Sequence, residues 1–120
     1  MITVYADHRG EKYRLLVEGH AGREGAGSLV CAAVSALTGA LVEYAKSNPV
    51  CRYVRTASDK GRVFLSCQMG LENAFEMTVG ALMQLAAAYP RHIMCHSAAG
   101  NTPFCSCGEN VSQAYEIRGV

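Results

Sequence analysis

Two long apolar stretches, each halted by a proline, set the terms on which this chain can fold. From residue 29 to about residue 46, Leu29, Val30, Ala33, Val34, Leu37, Leu41 and Val42 recur at steps of three and four, and Asn48-Pro49 ends the run. From residue 72 to residue 89, Phe75, Val79, Leu82, Met83, Ala86 and Tyr89 repeat the pattern until Pro90 stops it. The spacing predicts two helices, each with an apolar stripe that needs a partner surface. The Phe and Met stripe of the second reads as core rather than as a cofactor box. In the first, Ala32, Ala33, Ala36, Gly39 and Ala40 carry so little bulk that the helix can lie close to a sheet or to another helix.

Shorter runs supply the sheet. Residues 2–7 and 13–18 are β-prone and flank His8-Arg9-Gly10-Glu11, a polar, glycine-bearing hairpin turn. Tyr13, Leu15 and Val17 alternate with Arg14, Leu16 and Glu18, which predicts one face in the core and the other closer to solvent. Residues 52–57 and 62–69 form a second hairpin around Ser58-Asp59-Lys60-Gly61, with Val63, Leu65, Cys67 and Met69 on one face, and residues 92–96 make a last strand. The resulting order ββαββαβ predicts an α/β (α+β) fold, a mixed β-sheet covered by two helices, with the strand order left open. A length of 120 residues at 50% hydrophobic composition suits one continuous core. The expected division is a single domain over residues 1–96 and a C-terminal tail, residues 97–120, whose Gly, Ser, Asn and Pro show no period.

Charge excludes some partners. Eleven Lys and Arg against ten Asp and Glu leave a net charge of +1, without a basic run, so no direct nucleic-acid or membrane binding is expected. The opening Met-Ile-Thr-Val-Tyr-Ala-Asp lacks the features of an export signal, which predicts a cytoplasmic protein. The six scattered cysteines then read as free thiols, Cys51 and Cys67 as packing residues. Both apolar stretches are interrupted or bounded by Thr, Gln and Pro and are read as too short to span a bilayer.

Chemistry concentrates where the second strand meets the first helix, in Gly19-His20-Ala21-Gly22-Arg23-Glu24-Gly25-Ala26-Gly27-Ser28-Leu29-Val30-Cys31. Ser28 is a candidate N-cap, which places Cys31 in the first helical turn, where the positive end of a helix and a nearby imidazole favour the nucleophilic thiolate. His20 can fold back to Cys31 over a seven-residue loop, and Gly22, Gly25 and Gly27 allow a peptide backbone to approach the sulfur. N–H groups at the helix start are candidate oxyanion donors. The loop is also a candidate gate that orders on substrate binding. By pattern alone a buried cysteine and a structural histidine are the commoner outcome. A nucleotide loop is weaker still, because the lysine of a P-loop and the full dinucleotide glycine spacing are absent. Cys95-His96 and Cys105-Ser106-Cys107 lack common zinc spacing, so no metal site is assigned.

Gly19-His20-Ala21-Gly22 followed by Val30-Cys31-Ala32-Ala33-Val34-Ser35-Ala36-Leu37 resembles the ribosomal-processing cysteine protease family called Prp. The likeness extends through the opening hairpin, the second helix and Tyr89-Pro90, about residues 1 to 96. It implies a homodimeric α/β endopeptidase, free of metal and organic cofactor. The implied substrate is a large-subunit ribosomal protein, whose short N-terminal extension is cut off after an aromatic residue. It also implies that Cys31 and His20 are the catalytic pair. Gly22, Glu24, Gly25, Gly27, Ser28 and Ser35 are the candidate substrate-binding or orienting residues around that pair. Family members commonly carry Asp three positions before the cysteine, where this chain has Ser28. Glu24 could take over as orienting carboxylate, or the pair could work alone. The rival is a catalytically inactive, ribosome-associated binding module of the same fold.

Overall fold

The computed structural model describes residues 1–99, the last three by backbone alone. The element order is the expected ββαββαβ: β1 Ile2–Arg9, β2 Lys12–Gly19, α1 Gly25–Ser47, β3 Arg52–Asp59, β4 Arg62–Gln68, α2 Glu72–Ala88 and β5 Ile93–Ala99. The strands outrun their expected lengths because the turns are tighter. Gly10 and Gly61, at φ +58° and +67°, let each hairpin reverse within two residues, which a residue bearing a Cβ does at a cost. The last strand likewise continues to Ala99, past the expected boundary at residue 96.

The sheet order is β3-β4-β2-β1-β5. Neighbours are antiparallel except β1 and β5, which run parallel with Ile2 opposite Ile93 and His8 opposite Ala99. Such a parallel pair needs a long crossover, and α1, the second hairpin and α2 together provide it. One sheet face carries Val4, Ala6, Tyr13, Leu15, Leu65, Cys67, Ile93 and Cys95 into the core, where Val30, Val34 and Leu41 of α1 and Phe75, Val79 and Leu82 of α2 meet them. Cys95 and His96 are adjacent on β5 and so point to opposite faces, which prevents both from holding one ion; Cys105 and Cys107 lie outside the described residues. Among the described residues no cluster suits a metal.

Three expectations need correction. The first helix begins at Gly25 rather than at Leu29, with Glu24 rather than Ser28 in the N-cap position and extended at φ −133°, ψ 154°. At 23 residues α1 is therefore long and apolar enough to cross a membrane by length and composition, although its stripe of Val30, Val34, Leu41 and Ala45 is the buried side of a core helix. Leu29 falls outside that stripe and is 58% exposed. The third correction concerns Leu16, expected towards solvent and found 0% exposed. It belongs to a second small cluster with Phe64 and Tyr5 on the sheet face turned away from the helices. Ion pairs rim this cluster: Asp7 with Arg9 and Arg14 at 3.1 and 3.0 Å, and Glu18 with Arg62 at 3.9 Å.

Candidate active site

His20 is separated from the start of α1 by four residues, 21–24, rather than from Ser28 by the seven expected. Gly19 makes the departure from the sheet: at φ +97° its missing Cβ leaves room for the carbonyl of Met1, while its N–H donates to the Gly61 carbonyl at 2.8 Å. The Met1 amino group donates to the His20 carbonyl at 2.6 Å, fixing the backbone that carries the imidazole. The ring itself lies over Gly61, where an added Cβ would stand 2.7 Å from Nε2. The β3–β4 turn and the end of β2 thus share one histidine.

The loop then folds back on the helix. Gly27, in the first turn of α1, is buried against the Ala21 carbonyl, and a Cβ there would collide with it. This close approach turns the Ala21 N–H towards Cys31, to whose Sγ it donates at 3.3 Å; the thiol faces the Gly22 carbonyl at 3.8 Å. Cys31 is half-buried, six residues after the first residue of α1. Because the macrodipole acts mainly within the first turn, the expected helix-start effect on the sulfur is weaker than the sequence implied. The N–H aimed at Sγ comes from the loop instead.

Cys31 and His20 line one cavity of about 250 Å³ with Val17, Val34, Ser35, Thr38, Ser58 and Asp59. A larger hollow of about 570 Å³, between α1 and β3, shares Ser35, Thr38, Ser58 and Val63 with it and runs on to Glu43 and Lys46. The two hollows are neighbours along α1 and β3, the larger lying on the side away from the sulfur. Thr38 is held by its own helix, donating to the Val34 carbonyl at 2.8 Å. Of the residues singled out in the sequence, His20, Cys31 and Ser35 line the cavity, and Gly22 and Gly27 shape the loop beside it. Glu24, Gly25 and Ser28 are exposed and lie outside its lining. Sequence reasoning missed Asp59, which is among the lining residues and whose side chain accepts the Lys60 N–H at 2.7 Å. No local signal could have found it, since β3 and β4 bring it in from a distant part of the chain.

The family model described as cysteine protease Prp matches residues 1–94. No protein with curated annotation matches the chain. Among solved structures, the chain resembles the ribosomal processing protease Prp of S. aureus with a covalently linked product peptide, at TM-score 0.67 and 21% identity over 82% of this chain and 100% of that one. The same S. aureus protease with a substrate peptide gives 0.66 and 20%, again over 82% and 100%. SMU.848 from Streptococcus mutans gives 0.61 and 22%, over 82% of this chain and 95% of its own.

Proposed function

The chain belongs to the cysteine protease Prp family, and from that premise we propose that Cys31 is the nucleophile and His20 the acid and base of an endopeptidase. Its substrate is the N-terminal extension of a large-subunit ribosomal protein. The observation that carries the reading is the shared cavity, with both side chains on its wall and the Ala21 N–H directed at the sulfur.

In this mechanism the Cys31 thiolate attacks the scissile carbonyl and forms a tetrahedral adduct. His20, as imidazolium, protonates the leaving amine, and the thioester is then hydrolysed by water with His20 as base. The substrate backbone lies in the larger hollow past Ser35 and Thr38 towards Glu43 and Lys46. Gly22 and Gly27 shape the loop beside the sulfur, while Glu24, Gly25 and Ser28 stand exposed on its outer side, open to a bound peptide. Asp59, on the hairpin that supports the His20 ring, takes the orienting part that Ser28 cannot supply. No cofactor enters the reaction.

The enzyme acts in the cytoplasm as a homodimer, without direct contact to nucleic acid or membrane. Support for the dimer comes from the family likeness, and a monomer mass by light scattering would remove it. The peptides in complex with the S. aureus neighbours, one a product and one a substrate, support a peptide ligand here.

The test is cleavage of a peptide spanning the extension's junction, with an aromatic residue before the scissile bond. Cys31→Ala and Cys31→Ser are expected to abolish cleavage, and His20→Ala to lower kcat/KM by about 10² to 10⁴. Asp59→Asn should lower it less than His20→Ala does. Full activity in Cys31→Ala would end the enzyme reading and leave the inactive binding module.

A further inference from the structure

Helix α1 carries no charged residue from Gly25 to Val42. Its inner stripe of Val30, Val34, Leu41 and Ala45 accounts for one side only. On the other side Leu29, Ala32, Ala36, Ala40 and Tyr44 follow at steps of three and four, and all are exposed, Leu29 by 58% and Tyr44 by 46%. Helix α2 differs, since its exposed side holds Glu72, Asn73, Glu76 and Gln84. A helix that faces only water has a polar outer side, and one apolar all round is covered. We propose that a second copy of this chain covers α1, the two α1 helices packing antiparallel about a two-fold axis at Ala36. The proposal rests on the homodimer reading and adds the surface through which the dimer forms.

The order of residues makes this face complementary to itself. A two-fold contact pairs residue i with j and j with i. About Ala36, Ala32 meets the partner's Ala40 and Leu29 meets the partner's Tyr44, so large side chains close both ends and small ones fill the middle. Alanines in the middle let the helix axes approach to about 8 Å, the near end of the usual range. From Leu29 to Tyr44 the contact is about 22 Å long.

Charge at the two ends selects the antiparallel arrangement. It brings Glu24, at the N-cap, towards the partner's Lys46, and Lys46 towards the partner's Glu24, and it opposes the two helix dipoles. A parallel pair would set each charge against its own copy. Lys46 lies 3.9 Å from Glu43 with 54% of its side chain in solvent, so a second carboxylate has access to it. Cys31 is five residues from Ala36, about 140° around the helix, and its sulfur faces the cavity rather than the partner. Both active sites stay open in the dimer, and the partner's Tyr44 braces the turn that carries Cys31.

The test is the mass of the full-length protein by light scattering and sedimentation. Wild type is expected to be a dimer. Ala36→Arg sets a charge against its own copy on the axis and should be monomeric at concentrations where wild type is dimeric, with an unchanged circular dichroism signal. Gln84→Arg, on the exposed side of α2, should leave the dimer intact. Ala32→Glu should raise the dimer Kd by about tenfold or more. Adding Ala40→Lys to it should recover wild-type affinity, because the two new charges are about 12 Å apart in one chain and meet only across the antiparallel pair. Wild-type affinity in Ala36→Arg would overturn this interface and leave a dimer formed elsewhere. Monomeric wild type would overturn the dimer reading and the interface with it. No recovery in the double variant would overturn the antiparallel pairing, and that variant decides alone should Ala36→Arg fail to fold. Flotation of wild type but not of Ala36→Arg with phosphatidylcholine vesicles would assign the face to a lipid surface and overturn the proposal.

Discussion

A Cβ at position 27 would run into the Ala21 carbonyl, so the absence of a side chain there is what lets the loop lie against α1 and aim its N–H at Cys31. Gly27→Ala separates this steric demand from helix stability. Alanine in a helix is favoured over glycine by roughly 0.5 to 1 kcal/mol, so the substitution should preserve α1. It should also push residues 21 and 22 off the sulfur, and a displacement of about 1 Å near reacting atoms can cost 10²-fold in rate. The expected outcome is a fall of about that size in kcat/KM with an unchanged helical circular dichroism signal. Wild-type activity in this variant would show that the loop contact is dispensable. At this scale the sequence set His20 and Cys31 in one short motif, and both line one cavity. Asp59 and Gly61 were not legible as neighbours of His20, because only the pairing of β4 with β2 carries their hairpin to it.

Helix α1 was legible in type and at its C-terminal end, and misread at its start. Ser28 has the chemistry of an N-cap, yet the helix begins four residues earlier than that cap implies, at Gly25, and takes in Gly25 and Gly27, which have poor intrinsic helix propensity. The Ala21 carbonyl lies where a Cβ at position 27 would stand, and propensity does not register such a tertiary demand for glycine. The two placements differ in what Ser28→Ala should do. An N-cap serine replaced by alanine costs about 0.5 to 2 kcal/mol. An exposed serine inside the helix costs nothing comparable, and surface changes usually stay within about 0.5 kcal/mol. Denaturant unfolding of Ser28→Ala should therefore give a midpoint at or slightly above wild type. A loss above about 1 kcal/mol would restore Ser28 to the cap. Strand existence was similarly legible from alternation. Strand order was not, since the parallel β1–β5 pair joins residues more than eighty positions apart in a chain whose local pattern says nothing of such partners.

At the scale of the whole molecule, the helix-facing core holds two acidic protons out of reach of water. Tyr13 is 1% exposed, its ring stacked on His8 at 4.2 Å and tilted against Phe75 at 5.2 Å. Burial first, then the negative charge of Glu72, pushes its phenol from the ordinary 10.0 up to about 12. Burial likewise pushes the Cys67 thiol from 9.0 up to about 12, with the neighbouring Cys51 thiol adding to it. Both groups favour the protonated form when folded. As pH rises past 9 the unfolded chain releases the Cys67 proton, and past 10 the Tyr13 proton, while the folded chain keeps both. The unfolded state then binds fewer protons, so stability falls with pH across this window and is untouched by these groups below it. Thermal melts should show a Tm that begins to fall near pH 9 and falls more steeply beyond 10. Cys67→Ala should delay that onset to the tyrosine's range, even if its starting Tm is lower, because the slope and not the height reports the titration. An alkaline profile of Cys67→Ala parallel to wild type from pH 9 upward would show that the core thiol ionises as readily folded as unfolded.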